Sequence, residues 1–192
     1  MKKIFTFLFL SPFLMQGQVI LVNKVDDFTG DWHVFTSPKE GRSIRSTDYV
    51  DIDKEMMFSM AYIKPKTGIL TYGIGLILRG RDIGCLVKGT GKIILLFDND
   101  STVELMQASD TECGGAYNSY SSIFIFASKS DLDGNSNEYT VEDNYRTASK
   151  NMIKKIRVEA SKGYSDYTLL PEKRSVMIKH SNLIDSITIK KE

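Results

Sequence analysis

Hydrophobic and polar positions alternate with a period of two over most of this chain. The clearest case lies between Gly68 and Gln107, where apolar residues occupy one face of a long strand. The apolar residues of that face are Leu70, Tyr72, Ile74, Leu76 and Leu78. Shorter apolar segments follow at 83–87, 92–97 and 102–107, and the residues between them are typical of turns. The pattern predicts an antiparallel meander around which the rest of the chain folds.

The segments on either side of the meander continue the β pattern. Strands are predicted at 19–24, 44–52, 56–63, 120–128, 153–160 and 164–170. The last two are separated by Ser161, Lys162 and Gly163, which predicts a hairpin. Apolar residues occupy both faces of 56–63 and of 120–128, so we expect these two strands to be buried on both sides.

Two segments in the C-terminal third change to helical spacing. Glu142 and Arg146 lie four residues apart, on one face of a short helix predicted from about 140 to 151. After Pro171, apolar residues recur at helical intervals, which predicts a last helix over about 172–185 packed against a sheet.

The pattern as a whole predicts the α+β class. We expect mostly antiparallel strands in a two-layer sandwich-like or partly open barrel core, with two short helices in the C-terminal third. No internal repeat or linker divides residues 18–192, so these residues are expected to form a single globular domain.

The first residues have the order of a secretory signal peptide. Lys2 and Lys3 precede an apolar run over 4–15 that ends before small and polar residues, and we expect cleavage after Gly17. Twelve helical residues span only about 18 Å, too little for a bilayer core. Residues 1–17 are therefore expected to direct the protein to the periplasm or the cell exterior, without stable membrane insertion after signal removal.

The charge balance argues against a nucleic-acid partner. The whole chain carries a net charge of +1, and removing Lys2 and Lys3 takes away two positive charges, which leaves −1. A protein that binds nucleic acid through the phosphate backbone needs a positive field, and this chain offers none.

The chain contains two cysteines, Cys85 and Cys113. In an oxidising compartment we expect a disulfide between them, and two free thiols remain the alternative. Closing the loop between them would stabilise the fold by roughly 3–4 kcal/mol in the chain-entropy description.

No motif indicates a catalytic or metal site. His33 and His180 are far apart in sequence, and His180 falls on the apolar stripe of the last helix, where we expect a packing residue. The acidic segments 98–100 and 131–135 have turn chemistry, and the second fails the calcium-loop rule because Lys129 stands at the first position. We therefore expect no catalytic residue, no metal and no cofactor.

Two groups of residues resemble known families. Asp26–Gly30 (DDFTG), Lys155–Val158 (KIRV) and Lys162–Tyr164 (KGY) resemble small exported proteins of Gram-negative envelopes that have no assigned activity. This resemblance implies export and an α+β fold, and it carries over no catalytic residue. Gly30-Asp31-Trp32 is similar to the Gly-x-Trp opening of lipocalins, which implies a barrel and a small apolar ligand.

The leading functional hypothesis is an exported, non-enzymatic protein that binds another envelope component, either a protein or a glycan. The alternative is a lipocalin-like carrier of a small apolar ligand in an enclosed cavity. An enzyme that uses scattered acids is the third hypothesis. Tyr117 and Tyr120, beside the loop that carries Cys113, form the candidate binding patch.

Overall fold

The computed structural model describes residues 19–37, 50–51, 56–68, 70–79, 84–108, 119–127 and 138–189. The strands are β1 (Val19–Val25), β2 (Trp32–Ser37), β3 (Val50–Asp51), β4 (Met56–Lys64), β5 (Thr71–Arg79), β6 (Lys92–Phe97), β7 (Thr102–Gln107), β8 (Ser119–Ile125), β9 (Ile153–Ala160) and β10 (Gly163–Thr168). The helices are α1 (Glu138–Lys150) and α2 (Val176–Thr188), and a 3₁₀ turn at Pro171–Lys173 precedes α2.

The strands form one antiparallel sheet in the order β1-β2-β4-β5-β8-β7-β6-β9-β10, and β3 pairs with β4. Among the described strands, β1 and β10 do not pair with each other, so the sheet is open. The predicted antiparallel sheet with two helices late in the chain is confirmed. The finer expectation of a sandwich-like or partly open barrel core stays a prediction.

The predicted meander is wrong in its connectivity. β6 and β7 form the expected hairpin, but β5 pairs with β4 and β8, and both β8 and β7 lie between β5 and β6. The β5–β8 register runs from Gly73 opposite Ile125 to Arg79 opposite Ser119. Both strands carry apolar residues on the inner face. A place in the middle of the sheet pairs the backbone of each strand along both edges and puts that face over the core.

The predicted strand at 83–87 is wrong for its described residues, which form a loop against the β9–β10 turn. Gly84 has a φ of 84°. The Cys85 N–H donates to Ser161 Oγ at 2.7 Å, and the Ser161 N–H donates to the Cys85 carbonyl at 3.0 Å. Leu86 is buried, and its carbonyl accepts a hydrogen bond from Gln107 Nε2 at 3.0 Å. These bonds to other elements replace the ladder that the apolar pattern predicted.

One hydrophobic core lies between the inner face of the sheet and the two helices. α2 contacts β2 and β4, while α1 contacts β5 and β7. The largest fully buried side chains are Tyr145, Tyr167, Phe58, Phe97, Phe124, Phe126, Met60, Ile74 and Leu76. Cross-strand pairs such as Met60–Ile74 and Ile74–Phe124 put these side chains on the same face of neighbouring strands, so the core is continuous across the sheet.

The outer face of the central strands is less buried than the sequence predicted. In β8, Phe124 is fully buried, whereas Ile123 and Ile125 are only half-buried. The same contrast holds in β4 between Met60 and Ile63. The two helices lie on the inner face, and this leaves the apolar residues of the outer face partly open to water.

The last helix begins later than predicted. Residues 171–173 form a single 3₁₀ turn, and α2 starts at Val176 and ends at Thr188. The carbonyl of Arg174 accepts a hydrogen bond from the Ile153 N–H at 2.9 Å, and the Arg174 side chain pairs with Asp98 at 2.9 Å. These contacts tie the segment before α2 to the sheet. The first predicted helix is confirmed within two residues at each end.

Several sequence predictions lie outside the described residues: the signal peptide at 1–17, Cys113, Tyr117 and the acidic segment 131–135. Cys85 is not a free thiol, and its pairing with Cys113 stays a prediction. No helix in the described part of the chain has the length and apolar character needed to cross a membrane.

Two glycines with positive φ provide a matched test of the contact between the 84–87 loop and the β9–β10 turn. A Cβ at Gly84 (φ 84°) would come within 2.8 Å of the Lys162 backbone nitrogen, whereas a Cβ at Gly89 (φ 74°) would meet nothing within 4 Å. Gly89→Ala should lower the free energy of unfolding by about 1–2 kcal/mol through backbone strain alone. Gly84→Ala should cost about 1–3 kcal/mol more, because the turn must move. Urea denaturation measures both, and equal losses would contradict this packing.

Candidate functional site

An open pocket of about 320 Å³ lies where the turn between β4 and β5 approaches α1 and α2. We call it the tyrosine–arginine pocket. Its polar lining comes from Tyr62, Lys64, Tyr72, Glu142, Arg146 and Thr188. The sheet, both helices and one turn all contribute, so the pocket exists only once these elements have packed together.

The local patterns of the sequence explain how these side chains meet. Tyr62 and Tyr72 are directly opposite each other in the β4–β5 ladder, so both point to the inner face. Glu142 and Arg146 are one helical turn apart on α1, which puts both on the same side of that helix. α1 lies against β5, and the two pairs therefore share one pocket.

Aromatic rings form the floor behind the pocket. Tyr72 stacks on Tyr145 of α1, with ring centres 3.8 Å apart and planes inclined by 14°. Tyr62 meets Tyr72 edge-on at 5.4 Å, and Trp32 meets Tyr62 edge-on at 5.3 Å. Each such aromatic pair contributes about 0.5–1.5 kcal/mol beyond the area it buries. The row fixes the position of α1 on the sheet.

A network of charged groups joins α1 to α2 at the edge of this floor. Arg146 Nη1 donates to Asp185 Oδ2 at 3.2 Å, and Arg146 Nη2 donates to Glu142 Oε1 at 3.3 Å. The hydroxyl of Tyr145 donates to the other oxygen of Asp185 at 3.0 Å. Asp185 therefore connects a fully buried tyrosine to a guanidinium that lines the pocket.

Burial sets the protonation of the tyrosines. It raises the pKa of Tyr72 far above the usual value of 10.0, and it raises the pKa of Tyr145 likewise, with the nearby charge of Asp185 adding to the effect. Both hydroxyls stay protonated at any physiological pH. They act as neutral hydrogen-bonding groups and are unsuited to serve as bases or nucleophiles.

The arrangement is suited to holding a ligand with several hydroxyl groups. It offers guanidinium N–H donors from Arg146 beside carboxylate acceptors from Glu142, next to a floor of tyrosine rings. In the part of the chain that the structure describes, no three His, Cys, Asp or Glu side chains come together as a metal site.

None of the predicted site residues that the structure describes lines this pocket. Tyr120 lies in β8 opposite Leu78 of β5, and Cys85 lies in the loop beside the β9–β10 turn. The turn interpretation of segment 98–100 is confirmed, because these residues form the turn between β6 and β7 and the Asp100 N–H donates to the Phe97 carbonyl at 3.0 Å. Asp98 also pairs with Arg174 at 2.9 Å, and Asp100 pairs with Lys154 at 3.2 Å.

The sequence patterns included the pocket residues, but indicated them only as core or helix positions. Tyr72 counted as one of the apolar positions of β5, and the Glu142–Arg146 spacing counted as a helix signal. The signal that could have indicated the pocket is the presence of tyrosine, rather than a fully apolar residue, at core positions of neighbouring strands. A buried tyrosine hydroxyl needs a polar partner, so such a position indicates a polar site close by.

His180 is a packing residue, as the sequence predicted. Its side chain is fully buried, and its ring lies 5.5 Å from that of Phe58. Nδ1 is 2.6 Å from Thr36 Oγ1, which also accepts the Met60 N–H at 2.9 Å. Nε2 is buried and has no hydrogen-bond partner among the described residues. His33 is separate from this group and stacks on Phe35 at 6.1 Å.

Comparisons with known proteins give no family for this chain: no family model, no curated protein and no solved structure matches it.

The environment of His180 predicts a loss of stability in mild acid. Burial lowers its pKa from 6.5 to about 4. The unfolded chain therefore binds the proton more readily than the native protein, and the stability present above pH 6.5 is lost as the pH falls towards 4. The loss due to this residue should reach about 3 kcal/mol.

His180→Gln keeps a polar group near Thr36 but does not titrate in this range. Urea denaturation between pH 7 and 4 should show a smaller loss for His180→Gln than for the wild type. His33→Gln, which makes the same substitution outside this buried cluster, is the control for the substitution itself. The same loss in wild type and His180→Gln would contradict this interpretation of the buried ring.

Proposed function

We propose that this chain is an exported, non-enzymatic protein that binds a glycan of the cell envelope in the tyrosine–arginine pocket. The observation that carries the proposal is the pairing of Arg146 and Glu142 over a floor of tyrosine rings in an open pocket. Sugar hydroxyls both donate and accept hydrogen bonds, so they suit a site where donors and acceptors alternate. Export rests on the leader pattern of residues 1–17.

The size of the pocket favours a small part of a glycan over a protein surface. A volume of about 320 Å³ lies at the lower end of the range for small-molecule sites. A volume of this size suits a small part of a glycan. A protein partner would need a much larger contact area for a stable complex.

A polar ligand is favoured over the apolar ligand of the lipocalin-like alternative. The pocket is open and its walls include Lys64, Glu142 and Arg146. An apolar ligand would remove water from these charged groups without forming hydrogen bonds to them in exchange. The space between sheet and helices is occupied by large buried side chains, among them Phe58, Phe124 and Tyr145. The proposed binding therefore rests on the open, polar pocket and not on an enclosed apolar cavity.

The protonation of the buried tyrosines and the ion pairs of Arg146 favour a binding role over catalysis. The two buried tyrosines remain protonated, and Arg146 is held between the carboxylates of Glu142 and Asp185. A guanidinium held in this way is fixed in orientation, which serves recognition. A general base needs a pKa close to the working pH, and neither of these tyrosines has one.

The mature protein should bind at least one saccharide on an array of bacterial envelope glycans. Arg146→Ala should weaken that binding at least tenfold, because it removes the pocket's guanidinium donors. Tyr72→Phe should weaken it less, since one hydroxyl is lost. Lys154→Ala, which removes an exposed ion pair outside the pocket, is the matched control and should bind as the wild type does.

Circular dichroism and urea denaturation of each variant would show that the fold is retained. Absence of glycan binding by the wild type, or equal binding by the wild type and Arg146→Ala, would overturn the proposal.

A further inference from the structure

We infer that the tyrosine–arginine pocket selects a neutral vicinal diol of a saccharide ring over a carboxylate or phosphate, with Arg146 as the donor and Glu142 as the acceptor. The inference rests on the proposed function and names the chemical class of its ligand. It is carried by the free hydrogen-bonding capacity of these two side chains and by the charges around them.

Arg146 has N–H donors that form no hydrogen bond with the described residues. A guanidinium carries five N–H groups, and three hydrogen bonds of Arg146 go to carboxylates. Two of these share a single acceptor, Glu142 Oε1, at 3.4 and 3.3 Å. The remaining N–H groups have no partner among the described residues, and the side chain is 37% exposed at the pocket. Arg146 can therefore donate to a ligand while it stays fixed by the protein.

Glu142 has one carboxylate oxygen, beside those donors, that accepts no hydrogen bond from the described residues. Oε1 accepts both bonds from Arg146, and no bond to Oε2 is formed by any described residue. The Glu142 side chain is 48% exposed and lines the same pocket. Donor and acceptor are thus adjacent, and two neighbouring hydroxyls of one ring can use both. One hydroxyl accepts from the guanidinium, and the other donates to the carboxylate.

The local charge argues against an anionic ligand. Arg146 is within ion-pair distance of two carboxylates, Glu142 at 3.3 Å and Asp185 at 3.2 Å, so these three groups together are negative. Among the described residues that line the pocket, Lys64 is the second cation, and it brings the sum of these four groups to zero. A carboxylate or phosphate entering the pocket would meet Glu142 without a compensating excess of positive charge. A neutral diol meets no such repulsion.

Asp185 acts as a positioning residue in this arrangement. One of its oxygens accepts from the buried Tyr145 hydroxyl at 3.0 Å and the other from Arg146 at 3.2 Å. The carboxylate is therefore fixed from inside the protein. It holds the guanidinium from α2, while Glu142 holds it from α1.

Periodate tests the diol directly, since it cleaves the carbon–carbon bond between neighbouring hydroxyls. The probes are arrayed neutral saccharides, uronic-acid saccharides and phosphorylated saccharides, each before and after periodate oxidation and borohydride reduction. The wild type should prefer the neutral set at least tenfold, and the treatment should abolish that binding. Preference for the acidic sets, or binding that survives the treatment, would overturn the inference while leaving glycan binding itself intact.

Glu142→Gln provides the matched variant. It keeps an amide oxygen as a weaker, uncharged acceptor and removes the negative charge, so binding of neutral saccharides should weaken several-fold. Binding of the acidic saccharides should increase at least tenfold. An unchanged ratio of neutral to acidic binding would contradict the role given to Glu142. Failure of the proposed function would look different, since the untreated neutral and acidic sets would then both remain unbound.

Discussion

The hydroxyl of Tyr145 donates to Asp185 from within the core, and the arrangement of the pocket depends on that hydrogen bond. The ring of Tyr145 is fully buried and stacks on Tyr72 of the sheet. A tyrosine hydroxyl in such a place must find an acceptor, because leaving it unpaired costs about 1–3 kcal/mol. Asp185 supplies the acceptor from α2. One side chain therefore joins β5, α1 and α2.

The polar side of the pocket follows from this constraint. With one oxygen committed to Tyr145, Asp185 presents its second oxygen to Arg146, and Glu142 holds the same guanidinium from its own helix. Ion pairs as exposed as these add little to stability. Their consequence is geometric, because they fix a cation beside a carboxylate at the mouth of an aromatic pocket. Both the proposed function and the proposed ligand class rest on this arrangement.

The sequence predicted which residues share a face better than which strands are neighbours. Period two identified Tyr72, Ile74 and Leu76 as one buried face, and these three residues are buried. The same period cannot identify the partner of β5, because any apolar strand satisfies the pattern, and β8 took the place expected for its nearer neighbours. The site was missed for the same reason. Tyr62, Tyr72 and Arg146 come together only after pairing and helix docking, which no local pattern records.

The side-chain Nε–H signal of Arg146 in the NMR spectrum tests most directly whether Tyr145 holds the pocket in place. It should be compared between the wild type and Tyr145→Phe, which keeps the ring and removes the hydroxyl. We expect a dispersed, slowly exchanging signal in the wild type. In Tyr145→Phe the signal should shift and exchange faster, because Asp185 loses the hydrogen bond that holds it from inside the protein. An Arg146 signal that is the same in both proteins would contradict this role of Tyr145.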